Sequence, residues 1–140
     1  MRVDVGGSYV HARLMEDVPV QGFRAGNRLP GTPKVNANLG VQHDFDFAGH
    51  AAFVRADAIY IGSFFGDLLQ SPVTETRSYV KLDASARIVF DKLNIDLYVR
   101  NVTNNDAFTF RGAYNFATLG EFYGYQMRPR TIGLQVGYTL

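Results

Sequence analysis

Three histidines, His11, His43 and His50, and a scatter of carboxylates are the side chains here with the means to ligate a metal or move a proton. Their spacing does not assemble a site. The histidines fall on different segments or at turn edges, without the close regular spacing of metal ligands. His43 and His50 flank one short turn and could approach each other, but a solvated turn accounts for both. Asp44, Asp46 and Gly49 offer oxygen ligands of the kind calcium takes, yet not in the EF-hand order, and these residue types also build turns. No serine, histidine and acid trio has a motif around it, and the glycines form no phosphate-binding loop. Cysteine is absent, which removes thiolate chemistry and disulfides. The chain reads as a non-enzyme with no cofactor.

Two other groups of residues have chemistry to offer. Arg55 and Asp57, then Lys81, Asp83 and Arg87, then Asp96 and Arg100 set opposite charges two to four residues apart. Such charges pair across neighbouring strands for a few tenths to about 1 kcal/mol each, and the same row could line a polar path for a transported solute. The stretch from Val102 to Gln126 holds Phe108, Phe110, Arg111, Tyr114, Phe116, Phe122, Tyr123 and Tyr125. Aromatic rings supply stacking area and Arg111 supplies charge, so Phe108, Phe110, Arg111, Tyr114 and Tyr123 are candidate substrate contacts. The alternative is that these side chains pack the segment down or form an interfacial girdle.

Strands must position all of them. From Tyr79 to Asn101 the chain alternates with a strict two-residue period. Val80, Leu82, Ala84, Ala86, Ile88 and Phe90 oppose Lys81, Asp83, Ser85 and Arg87; after Asp91-Lys92, Leu93, Ile95, Leu97 and Val99 oppose Asn94, Asp96, Tyr98 and Arg100. Period two means strand, because successive side chains leave opposite faces, and a two-residue interruption means a hairpin. A first strand is expected over 1–14, with Val3, Val5 and Tyr9 on one side, weakened by Gly6-Gly7. Proline and glycine make 15–33 a loop. A second strand starts at Lys34, a break follows at Asp44–Gly49, and a third runs from His50 to Gly62. Ser63–Thr76 and 102–126 are long connections, and a last strand carries Ile132, Leu134, Val136, Tyr138 and Leu140.

The 140 residues suit one domain. The expected fold is all-β, an antiparallel up-and-down meander of about six long strands, with short turns at one end and long loops at the other. A net charge of +1 gives no argument for nucleic acid. No apolar run reaches the roughly 18–20 residues of a spanning helix, and the first residues lack the pattern of a signal peptide. Strands of this length do match the roughly 9–11 tilted residues that cross a bilayer. Periodicity alone leaves two orientations: a soluble barrel with its apolar face inward, holding an apolar ligand, or a transmembrane barrel with that face to lipid. Paired charges on the polar face, aromatics near strand ends (Tyr60, Phe90, Tyr138) and loop lengths segregated by end favour the membrane form.

Arg28-Leu-Pro-Gly-Thr-Pro-Lys34 before a strand, the hairpin from Tyr79 to Arg100, Asn101-Val-Thr-Asn-Asn105 after it, and Arg128-Pro-Arg-Thr-Ile-Gly-Leu134 near the end resemble, in order and spacing, the C-terminal part of TonB-dependent outer-membrane receptors. Leu134, Val136 and Tyr138 also fit that family's terminal assembly signal, although Leu140 stands where phenylalanine is usual. The resemblance implies a 22-stranded barrel in the outer membrane of a Gram-negative bacterium, plugged by an N-terminal domain. It would be energised by the TonB complex and would import iron–siderophore complexes, cobalamin or another scarce nutrient. Residues 1–140 would be a fragment, the closing portion of the wall, its partners being outer-membrane lipid, the rest of the receptor chain with its plug, TonB, and the nutrient ligand. Arg55, Asp57, Lys81, Asp83, Arg87, Asp96 and Arg100 would face the lumen or hold the plug. The loops 15–33, 63–77 and 102–126 would face outside.

Overall fold

The computed structural model describes residues 1–114 and 121–139; Phe116 and Leu140 lie outside the described residues. Among the described residues ten strands occur in chain order: β1 (Arg2–Tyr9), β2 (Val35–Phe47), β3 (His50–Ile61), β4 (Phe64–Phe65), β5 (Glu75–Thr76), β6 (Tyr79–Phe90), β7 (Leu93–Arg100), β8 (Phe108–Ala113), β9 (Phe122–Gln126) and β10 (Thr131–Tyr138). Six of them form one antiparallel sheet in the order β1-β2-β3-β6-β7-β10, the expected meander.

Two departures from the sequence-based expectation have clear causes. The break at Asp44–Gly49 is only the pair Ala48-Gly49, both at positive φ (52° and 82°), and β2 continues to Phe47 opposite His50. Asp44 and Asp46 are turn-forming types, but here they fall on the polar face in phase with Gln42, so alternation carries the strand through them. The long connections are not plain loops either. β4 pairs with β5 and β8 with β9, each too short or too irregular for a period to register, the second carrying a register shift between Phe108 and Phe110.

The register aligns one apolar face across all six strands. Val5 sits opposite Leu39, Leu39 opposite Ala58, Ala58 opposite Leu82, Ala86 opposite Leu97, and Leu97 opposite Leu134. Among the described residues nothing covers it: Leu97 is 50% exposed and Leu134 66%. Among the described residues the buried apolar side chains are Phe64 and Met127, both at the long-loop end. Leaving a large aliphatic side chain in water forfeits roughly 1.5–3 kcal/mol, and apolar patches beyond a few hundred Å² mark surfaces that meet lipid or protein. A one-layer sheet with so broad an apolar face is therefore a wall, with its stabilising environment outside the chain.

At the short-turn end the apolar face becomes aromatic, through Phe45, Phe47, Phe90 and Tyr138. His50 joins them, its ring 4.4 Å from that of Phe90, and His43 stacks on Phe45 at 5.9 Å. Both histidines thus lie with rings and not with metal ligands. Among the described residues no group of three or more His, Cys, Asp or Glu is placed to hold a metal ion.

Candidate functional site

The polar face gathers all seven charged residues picked out by spacing. Arg55 donates to Asp57 at 2.6 and 2.9 Å and to Asp4 at 2.9 Å, so one guanidinium ties β1 to β3 across β2. Asp57 lies directly opposite Asp83, a like-charged pair that would repel. The repulsion is offset because Lys81 donates to Asp83 at 2.6 Å while Arg55 holds Asp57. Arg87 meets Asp96 across β6 and β7 and lies 5.5 Å from the ring centre of Phe53. Asp96 accepts from Arg87, so Arg100 is not its partner; Arg100 lies over Tyr98 at 5.4 Å. These pairs are partly exposed to water, with side chains 14–48% accessible, and each contributes at most about 1 kcal/mol.

At the long-loop end the connections are stitched into a cap. The Arg28 guanidinium donates to the Ser63 carbonyl at 2.5 Å, the Asn27 amide to that of Leu68 at 2.7 Å, and the Gly31 N–H to that of Phe65 at 2.8 Å. Asp67, 5% exposed, accepts from the Ser71 N–H at 3.0 Å and from the Thr74 hydroxyl at 3.1 Å. The cap then meets the β8–β9 hairpin, where Phe110 lies 6.4 Å from Phe64.

The five candidate contacts divide by surroundings. Phe108 and Arg111 belong to one cluster, with the guanidinium 5.2 Å from the ring centre of Phe108 and 3.8 Å from that of Phe122. Phe110 and Tyr123 belong to another, 6.2 Å apart, with Tyr114 5.3 Å beyond Tyr123. Tyr114 is the most open, at 75% exposure. Contact between cap and hairpin depends on Gly66, where an added Cβ would collide with the Arg111 carbonyl oxygen. Gly66→Ala is expected to cost about 1–3 kcal/mol of docking energy, as overpacking does. Limited proteolysis should then cut within 63–77 while the sheet still assembles; an unchanged cleavage pattern would mean the cap and hairpin do not depend on this approach.

Sequence reasoning passed over the residue that organises this end. Asn101, 1% exposed and at φ 52°, donates through its amide to the carbonyls of Asn105 and Arg128, both at 2.8 Å, and accepts from the Asn105 N–H at 2.9 Å. Its own N–H donates to Asp83 at 2.8 Å. Ladder pairing of β6 with β7 begins only at Ala84, so the start of β6 has no strand there. The Asn101–Asn105 turn fills in: the Val102 N–H reaches the Leu82 carbonyl at 2.7 Å and the Asn105 amide that of Val80 at 3.1 Å. The asparagine-rich run was the available signal, since Asn both tolerates left-handed backbone and mimics backbone groups.

The arrangement is that of a wall with an ion-paired face, a lipid-compatible face and a stitched cap. Among solved structures none matches the chain. The family described as TonB dependent receptor-like, beta-barrel matches residues 2–102, which span β1 to the turn after β7. That match covers five of the six strands of the main sheet in their observed order, and it agrees with the resemblance carried by the motifs at 28–34 and 79–100. The chain belongs to the β-barrel family of TonB-dependent receptors, which are outer-membrane receptors and transporters of Gram-negative bacteria.

Proposed function

We propose that residues 1–140 are the C-terminal part of the wall of a TonB-energised importer of a scarce nutrient such as a siderophore or cobalamin. The observation that carries this reading is the uncovered apolar face aligned across six strands behind an ion-paired polar face. With the apolar face to lipid, the charged row from Arg55 to Arg100 faces the lumen, where a plug and a passing solute would meet it. Among the described residues the outer strands β1 and β10 each have a free edge, and free edges have no partner in hydrocarbon. Further strands must therefore close the barrel, and we assign them to the rest of a longer receptor chain, along with the plug and the segment that engages TonB.

The test is the native mass and location of the polypeptide, followed in cell fractions with an antibody to residues 102–126. A band several-fold above 15.6 kDa in the outer membrane is expected. A band at 15.6 kDa in the soluble fraction would overturn the importer reading in favour of a soluble barrel that holds an apolar ligand.

A further inference from the structure

One side chain does not suit the face it lies on. His43 is in phase with Leu39, Val41, Phe45 and Phe47 along β2, so its exposed imidazole stands among apolar side chains. The register puts it in one row with Val54, Ala86, Leu97 and Leu134, well inside the strands. Its ring stacks on Phe45 at 5.9 Å, which leaves both nitrogens free. Among the described residues no hydrogen bond or ion pair reaches them. An imidazole offers one N–H donor and one nitrogen acceptor. In hydrocarbon both groups are costly to leave bare, and an ionisable side chain at such depth marks a contact.

The surface beside His43 has relief. β2 forms a ridge of large side chains, Leu39, Val41, Phe45 and Phe47. The next two strands, β3 and β6, place Ala52, Ala56, Ala84 and Ala86 on the same face, with Ala56 directly opposite Ala84. These small side chains leave a furrow along the ridge, with recesses of about 230 and 240 Å³ in its two halves. A ridge beside a furrow is self-complementary. Two copies inserted the same way are related by a two-fold axis along the membrane normal. That operation sets each ridge against the other copy's furrow at equal depth. It also brings the two His43 rings side by side, so that the N–H of one can donate to the nitrogen of the other. An acyl chain would fill the furrow, but it offers the imidazole neither donor nor acceptor at this depth. A second copy satisfies both features.

From this juxtaposition we infer that the receptor pairs with a second copy of itself through the β2–β3–β6 part of its apolar face, with His43 fixing the register. The inference rests on the importer reading, in which this face meets lipid. Small side chains allow close approach of membrane segments, and polar ones hydrogen-bond between them. A single polar contact in an apolar interface sets register because any shift leaves it unpaired.

The experiment uses the full receptor, coexpressed in two forms with different affinity tags and excised from the outer membrane in polymer-bounded lipid discs. Pull-down through one tag is expected to recover the other form. His43→Leu in both forms should lower that recovery by about tenfold, as loss of one hydrogen bond in a membrane does, with the amount assembled unchanged. Ala86→Phe, which fills the furrow, should lower it as well. In a receptor free of other cysteines, His43→Cys oxidised in intact membranes should give a disulfide-linked band at twice the receptor's mass. Ile132→Cys, on the same face but at the far strand β10, should not. No recovery with the wild type, undiminished recovery with His43→Leu, or equal cross-linking at the two positions overturns the pairing. A monomeric wild type that retains a lipid lost in Ala86→Phe overturns it too and gives the furrow to an acyl chain. Each of these outcomes leaves the importer reading standing, which fails separately if the chain is absent from the outer-membrane fraction.

Discussion

Leu97→Arg is expected to abolish most of the protein's assembly into the outer membrane. Leu97 sits mid-strand on β7, between Ala86 on β6 and Leu134 on β10, in the middle of the aligned apolar face. An arginine facing lipid near the bilayer midplane costs roughly 2–4 kcal/mol, a large share of a folding free energy that totals only about 5–15 kcal/mol. The loss is read as disappearance of the heat-modifiable, protease-resistant form from outer-membrane fractions. Gln135→Arg is the control: Gln135 neighbours Leu134 but lies on the polar face opposite Asp96, where an added cation gains a carboxylate. It should assemble as the wild type does. The pair Leu97→Arg/Leu134→Arg should be worse than the sum of its singles, because like charges directly opposite repel. If Leu97→Arg inserts normally while Gln135→Arg does not, the sheet faces the other way and the apolar face belongs to an interior.

That the facing can be argued at all comes from the regularity of the sequence. In the hairpin from Tyr79 to Arg100 each side chain's face follows from its position, because tertiary contacts only reinforce a period of two. The same reasoning failed at Asp44 and Asp46, where residue type suggested a turn and phase dictated a strand. Phase wins there because a single polar residue at a polar-face position costs nothing, while the backbone breaks the ladder only where Ala48 and Gly49 take positive φ. The cap was not legible in advance. Arg28 meeting the Ser63 carbonyl, or Phe64 meeting Phe110, joins segments 35 or more residues apart, and no local period records such pairings. The charged row was legible as a row, and the pairs Arg55–Asp57 and Lys81–Asp83 within it hold, but the partner of Asp96 was not. Arg100 was placed with Asp96 on spacing along one strand; in the sheet, Asp96 is met by Arg87 from the neighbouring strand instead.

Asn101→Ala is expected to be the most damaging single change outside the apolar face. The side chain makes three hydrogen bonds at 1% exposure, and alanine removes all of them at once. It strands the carbonyls of Asn105 and Arg128 and the N–H of Asn105, and an unsatisfied buried group costs about 1–3 kcal/mol. Alanine also dislikes the left-handed backbone of φ 52°, a further cost of roughly 1–2 kcal/mol. Partial repair by water brings the expected total to about 3–5 kcal/mol. Asn101→Gly separates the two causes, since glycine accepts the backbone but not the hydrogen bonds; it should recover roughly 1 kcal/mol of the loss and no more. The measurement is the urea midpoint of the receptor in lipid vesicles, paired with proteolysis of 102–130. Protection of that segment should fall in both variants, because the Asn101–Asn105 turn is what supplies the start of β6 with partners at Leu82 and Val80. An Asn101→Ala receptor with an unchanged midpoint would mean that the long-loop end is held by the β8–β9 hairpin and the cap, with the asparagine turn merely following them.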